Sequence, residues 1–150
     1  MPDLRELYQD VILEHSKAPR NYRELGAANR KAEGFNPLCG DRYIVYLHLD
    51  GNAVRDIAFQ GSGCAISKAS ASLMTQSVKG KTQTEIEKLF EDFHKIVTGQ
   101  TPAEDSASEV GKLSVFSGVS AYPVRVKCAT LAWHTLRAAL AGKDEPVSTE

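Results

Sequence analysis

No apolar run in this 150-residue sequence approaches the roughly 18 residues that a membrane-spanning helix needs. An excess of one charge is also missing. The 18 Lys and Arg face 19 Asp and Glu, and a net charge of −1 argues against a nucleic-acid binder that works through bulk positive charge. There is no internal repeat and no low-complexity tract. The opening Met1-Pro2-Asp3-Leu4-Arg5-Glu6 is polar and lacks the apolar core of a secretory signal. Cysteine is scarce: three residues, an odd number, far apart. That count argues against a disulfide framework and predicts a reducing, cytoplasmic setting. What remains is 42% apolar and 25% charged, the composition of a water-soluble folded chain, and its length predicts one domain over 1–150.

The patterning predicts an α+β fold, a small antiparallel sheet of two to three strands with helices on one face. Leu4, Leu7, Tyr8, Val11 and Ile12 recur at helical spacing behind an Asp3 cap, and Pro19 ends that helix. A polar stretch runs to about Gly34, and no element is placed there. Tyr43–Leu49 and Val54–Gln60 predict a hairpin closed by Asp50-Gly51-Asn52, with Arg55, Ile57 and Phe59 on one face. Ala65–Val78 predicts a helix whose small residues suit close packing, with Gly80 beyond it. Thr84 and Glu87 predict a capping box for the next helix, whose apolar face is Ile86, Leu89, Phe90, Phe93 and Val97. Residues 100–109 read as an exposed acidic loop and Leu113–Gly118 as a short helical turn. Tyr122–Val126 reads as extended, a last helix starts near Lys127, and the tail from Lys143 is expected to fray. Trp133 and the phenylalanines are assigned to the core.

All three cysteines fall at predicted element boundaries: Cys39 before a strand, Cys64 before a helix, Cys128 at the start of the last helix. A helix N-terminus favours thiolate over thiol, which marks Cys64 and Cys128 as nucleophiles or metal ligands. Cys39 and Asp41 are two apart, on one side of an extended chain, with Gly40 between them. Three thiolates and one carboxylate form a tetrahedral set suited to Zn²⁺, with a net charge of 2 − 4 = −2 that Arg125 and Lys127 could offset. Two readings stay open on spacing alone, a shared metal site or three unrelated cysteines, because no CxxC pair is present. Among the histidines, His134 falls on the far side of its helix from Cys128. His48 is expected on the exposed side of a strand, and His94 lies on a structural helix. His15, after the first helix, is the one histidine placed to reach a site, with a surface position as the favoured reading.

At these residues the sequence resembles a known family. Asn36-Pro37-Leu38-Cys39-Gly40-Asp41, Gly61-Ser62-Gly63-Cys64-Ala65-Ile66-Ser67 and Arg125-Val126-Lys127-Cys128-Ala129-Thr130-Leu131-Ala132-Trp133, with Pro19-Arg20-Asn21, resemble the IscU/NifU N-terminal family of iron–sulfur cluster assembly proteins. The resemblance is strongest to its SufU branch. Lys127 stands where IscU-type proteins have His, and Tyr122-Pro123-Val124-Arg125 replaces their chaperone-binding motif. The Cys64–Cys128 interval is also longer by roughly twenty residues, placed within 100–122.

The resemblance implies a SufE/NifU-like fold and one zinc held by Cys39, Asp41, Cys64 and Cys128. It also implies a partnership with the pyridoxal-phosphate cysteine desulfurase SufS, with Cys39 as the residue that accepts persulfide sulfur, and downstream SUF scaffold components as recipients. Neither nucleic acid nor membrane is an expected partner. The alternative is a scaffold that assembles a [2Fe–2S] cluster on the same ligands, with Fe or a transient cluster bound in place of zinc. A stand-alone thiol enzyme would need a Cys–His pair that the sequence does not suggest. A purely structural zinc protein would leave desulfurase turnover unchanged.

Overall fold

A computed structural model describes residues 4–37, 40–100, 111–142 and 146–148 of the chain. Its sheet is built from β1 (Arg30–Asn36), β2 (Asp41–Asp50) and β3 (Ala53–Ser62), paired antiparallel, and β4 (Val147–Ser148), which runs parallel to β1. The spatial order is β3-β2-β1-β4. The helices are α1 (Leu4–Lys17), α2 (Ala65–Val78), α3 (Gln83–Val97) and α4 (Pro123–Leu140), with a 3-10 helix over Gly111–Ala121. This is the expected α+β arrangement.

The hairpin forms where the turn signal placed it. Gly51, at a φ of 65°, takes the first turn position between the paired Asp50 and Ala53, a backbone geometry that suits the strand twist and needs glycine. One detail differs. His48 pairs with Asp56 and Leu49 with Val54, so Arg55 is an extra residue in a β-bulge. The bulge breaks the alternation: Val54, Ile57 and Phe59 are fully buried, while Arg55 is exposed and does not share their face.

β1 carries no strand signal in the sequence, and the structure shows why. Its inward positions are Ala32, Gly34 and Asn36, too small or too polar to register as a strand. They are small because α4 lies directly on them: a Cβ on Gly34 would overlap Thr135 Oγ1 and sit 3.3 Å from a Leu131 methyl. The opposite face of the sheet is closed by residues from the α1–β1 connection, where Leu25 and Ala28 pack with Tyr46 and Ala58. The same connection pairs with the β3 edge: Arg23 N–H donates to Phe59 O (3.0 Å) and Phe59 N–H to Asn21 O (3.0 Å).

α2 runs through the middle of the protein with Ser67, Ala69, Ser70, Ala71, Ser72, Leu73, Met74 and Thr75 all buried. Each buried hydroxyl that this close packing brings inside is partnered. Ser70 Oγ donates to Ala129 O and accepts from Trp133 Nε1, and Ser72 Oγ accepts from Arg20 N–H and meets His15 Nδ1 at 2.7 Å. His15 is therefore not a surface residue. α1 continues past it to Lys17 and turns it inward. The core is completed by Trp133, stacked on Phe93 at 4.9 Å and edge-on to Phe90, and by Phe116 of the 3-10 helix.

Three boundaries move. The capping box of α3 is Thr82 with Glu85, because Thr82 is held extended by its bridge to Ala53, which leaves Thr84 inside the first turn. Tyr122–Val126 is not a strand: α4 begins at Pro123, whose ring pre-sets the first helical φ, and only Tyr122 is extended. The Val-Arg-Val alternation there reflects exposure at a helix start. Of the tail, residues 143–145 and 149–150 lie outside the described set, as do Asp3 and residues 101–109 of the predicted loop. Val147 and Ser148 are ordered as β4 instead of fraying.

Replacing Gly34 by Ala should destabilise the fold by about 1–3 kcal/mol through overpacking against Thr135. Combining it with Thr135→Ala should recover part of that loss. Urea unfolding of the single and double variants measures both, and an unchanged midpoint for Gly34→Ala would contradict the packing of α4 on β1.

Candidate metal centre

Three of the four residues singled out as ligands converge. Asp41, Cys64 and Cys128 place one oxygen and two sulfurs within 4.8 Å of one another. Cys39 lies outside the described residues.

Asp41 opens β2 opposite Asn36 and is buried. The chain reaches it through Gly40 at a φ of 72°, with Gly40 N–H bonded to Asn36 O at 2.9 Å. That left-handed turn corrects the expectation of an extended Cys39-Gly40-Asp41 run: the glycine is needed for its backbone, not for the lack of a side chain. Asp41 Oδ1 accepts the Cys64 N–H at 2.9 Å. Asp41 Oδ2 is buried with no hydrogen-bond partner among the described residues.

Cys64 is exposed and takes the N-cap position of α2, its Sγ accepting the Ser67 N–H at 3.4 Å. The thiol is lowered to about 6, first through a hydrogen bond with Cys128 and then through the Ser67 N–H and hydroxyl, against opposition from partial burial and the Asp41 charge. Cys128 differs from expectation. Because α4 starts at Pro123, Cys128 lies beyond the first turn, outside the reach of the helix-terminus field, and is buried. Its sulfur faces the Asn36 carboxamide instead, with Nδ2 at 3.8 Å.

Three nearby residues had been given no role. Asn36 and Ser67 lie within the cysteine-bearing segments but had been noted only as neighbours, and Tyr43 only as a strand residue. Tyr43 is fully buried, and its hydroxyl meets Ser67 Oγ at 2.8 Å; burial pushes its phenol well above the usual range. Gly63 makes room for this group: a Cβ there would lie 2.5 Å from Asp41 Oδ1 and from Ser67 Oγ, and 2.6 Å from Tyr43 Oη. No histidine joins the cluster among the described residues. His134 packs edge-on against Phe90 at 5.2 Å, where burial, His94 and Arg137 hold its imidazole below the ordinary range. The Arg125 guanidinium lies over the Tyr122 ring at 4.5 Å.

The donors fit a metal of zinc's character. A tetrahedral zinc with sulfur at ~2.3 Å and oxygen at ~2.1 Å would set ligand atoms about 3.5–3.8 Å apart, a modest contraction of the cluster described here. A buried carboxylate oxygen lacking a donor, beside two sulfurs, is the arrangement a cation would satisfy. Among the described residues no helix is long and apolar enough to cross a membrane.

The NifU-like N terminal domain pattern matches residues 7–129. The chain is 40% identical over 147 residues to a Bacillus subtilis protein named zinc-dependent sulfurtransferase SufU, covering 95% of each chain. It is 39% identical over 138 residues to a Streptococcus pyogenes protein named iron-sulfur cluster assembly scaffold protein IscU, covering 91% of this chain and 84% of that one. A crystal structure from Fervidobacterium islandicum, described as a putative iron-sulfur cluster assembly scaffold protein for the SUF system, superposes with a TM-score of 0.82 at 33% identity. It covers 92% of this chain and 99% of that one.

If Asp41 is a ligand, Asp41→Ala should lower zinc affinity by more than about tenfold in a competition with a chelating dye. Full zinc content and unchanged affinity in that variant would remove Asp41 from the ligand set.

Proposed function

The chain belongs to the NifU-like N-terminal domain family, and we propose that within iron–sulfur cluster assembly it is a zinc-dependent sulfur-transfer protein serving a cysteine desulfurase of the SufS type. The observation that supports this reading is the meeting of an Asp41 oxygen with the Cys64 and Cys128 sulfurs, where Asp41 Oδ2 is buried with no hydrogen-bond partner among the described residues. Cys39, two residues before Asp41, is assigned as the fourth ligand and as the sulfur acceptor.

Zinc bound there would keep the thiolates deprotonated and shielded, without redox chemistry of its own. The chain's own residues then divide the work. Asp41 is oriented by the Cys64 N–H, which binds its Oδ1 and leaves Oδ2 buried and available to a cation. Cys64 and Cys128 are anchored by α2 and α4. Cys39, next to Gly40 in sequence, is assigned the sulfur that is exchanged. In the transfer step the Cys39 thiolate attacks the terminal sulfur of the desulfurase persulfide. A new S–S bond forms at Cys39, the enzyme's S–S bond breaks, and the desulfurase cysteine leaves as thiolate, so no external oxidant or reductant is needed. The Cys39 persulfide would then pass its sulfur to downstream SUF components in a reducing cytoplasm.

A scaffold role, in which a [2Fe–2S] cluster forms on the same four residues, is the second reading. The Streptococcus pyogenes relative carries that name. Lys127, which offers no imidazole next to Cys128, favours transfer.

Desulfurase turnover should rise when the zinc-loaded chain is added, and Cys39→Ala should abolish the rise. Mass spectrometry should find one extra sulfur on the peptide carrying Cys39. No stimulation, together with a stable cluster formed from iron and sulfide, would replace this reading with the scaffold. Removing zinc should also lower the melting temperature, because its ligands come from distant segments. Equal melting of loaded and stripped protein would contradict a shared ion.

A further inference from the structure

Two polar groups buried against the sulfurs take no part in the transfer scheme. The first is Asn36, fully buried at the last position of β1, whose Nδ2 lies 3.8 Å from Cys128 Sγ. The second is the hydroxyl pair of Tyr43 and Ser67: Ser67 Oγ is 2.8 Å from Tyr43 Oη and 3.6 Å from Cys64 Sγ. Each supports a sulfur that carries negative charge. A carboxamide N–H can only donate. Ser67 Oγ donates to Cys64 O at 3.0 Å and the Ser67 N–H to Cys64 Sγ at 3.4 Å, so the Tyr43 hydroxyl, donating to Ser67 Oγ, holds in place the residue whose N–H faces the sulfur. The space this pair occupies exists only because residue 63 is glycine.

Resting on the metal-centre reading, we propose that Asn36 and the Tyr43–Ser67 pair are positioning residues that hold Cys128 and Cys64 as the two fixed sulfur ligands. Both sulfurs stand on helices, and both are backed by side chains from the sheet or from the first turn of α2. These donors stabilise charge on sulfurs that stay in place, whereas the acceptor sulfur has to come and go. Asn36 and Tyr43 therefore act on metal retention through Cys128 and Cys64.

The test loads the full chain with cobalt(II), whose sulfur-to-metal charge-transfer absorption reports the ligands directly, and compares wild type with Asn36→Ala and Tyr43→Phe. Tyr43→Phe keeps the buried ring, so it preserves the core even if Asn36→Ala folds poorly; melting of the metal-free proteins checks this. Against a chelating dye, cobalt affinity should fall about tenfold or more in Asn36→Ala and several-fold in Tyr43→Phe. The charge-transfer band should move to longer wavelength in both, since charge on sulfur is then less stabilised. Band positions matching wild type and affinities within about twofold of it would overturn the proposal. A wild-type chain that takes up cobalt with no sulfur-to-metal band would instead overturn the metal centre itself.

Discussion

The carboxylate of Asp41 is the constraint on which the centre depends. One oxygen binds the backbone of Cys64 and so ties the start of β2 to the start of α2. The other is enclosed without a donor among the described residues, and a buried group left so costs on the order of 1–3 kcal/mol even when neutral and more when charged. Such a position persists only where the surroundings enforce it. Here Asn36 stands opposite in register and Gly63 brings the backbone close, so the carboxylate has little freedom to turn toward water.

The rest of the architecture serves to bring three chain segments to that point. α2 can run through the centre of the protein because its side chains are small, and its hydroxyls find partners in α4, α1 and the following connection. α4 can lie flat on β1 because Gly34 leaves a gap for Thr135 and Leu131. Both close approaches act on the same geometry. They fix the distance between the helix that carries Cys128 and the strand pair that carries Asn36 and Asp41.

The parts that could be read from the sequence are those where a local signal and the tertiary environment agree. The Gly51 turn, the apolar face of α3 and the small residues of α2 are of this kind. β1 was invisible because its inward side is Ala32, Gly34 and Asn36, residues chosen by the helix above them. The start of α4 was misplaced because Val124-Arg125-Val126 mimics strand alternation, although Pro123 already marked a first helical residue. For the centre, residue types and boundary positions pointed to Cys64 and Asp41. The reason given for Cys128 failed with the helix boundary, and its setting beside Asn36 depends on a contact 92 positions apart in sequence. Spacing carries no trace of such a contact.

Both edges of the three antiparallel strands, β3 and β1, are covered in part. Along β3, residues 21–23 bond to Phe59, and along β1, Val147 and Ser148 lie beside Gly34 and Phe35. At these places the backbone groups that would recruit a further strand from another molecule are already used. Extension of the sheet is blocked at these positions, and there a partner would meet side chains instead of free backbone groups.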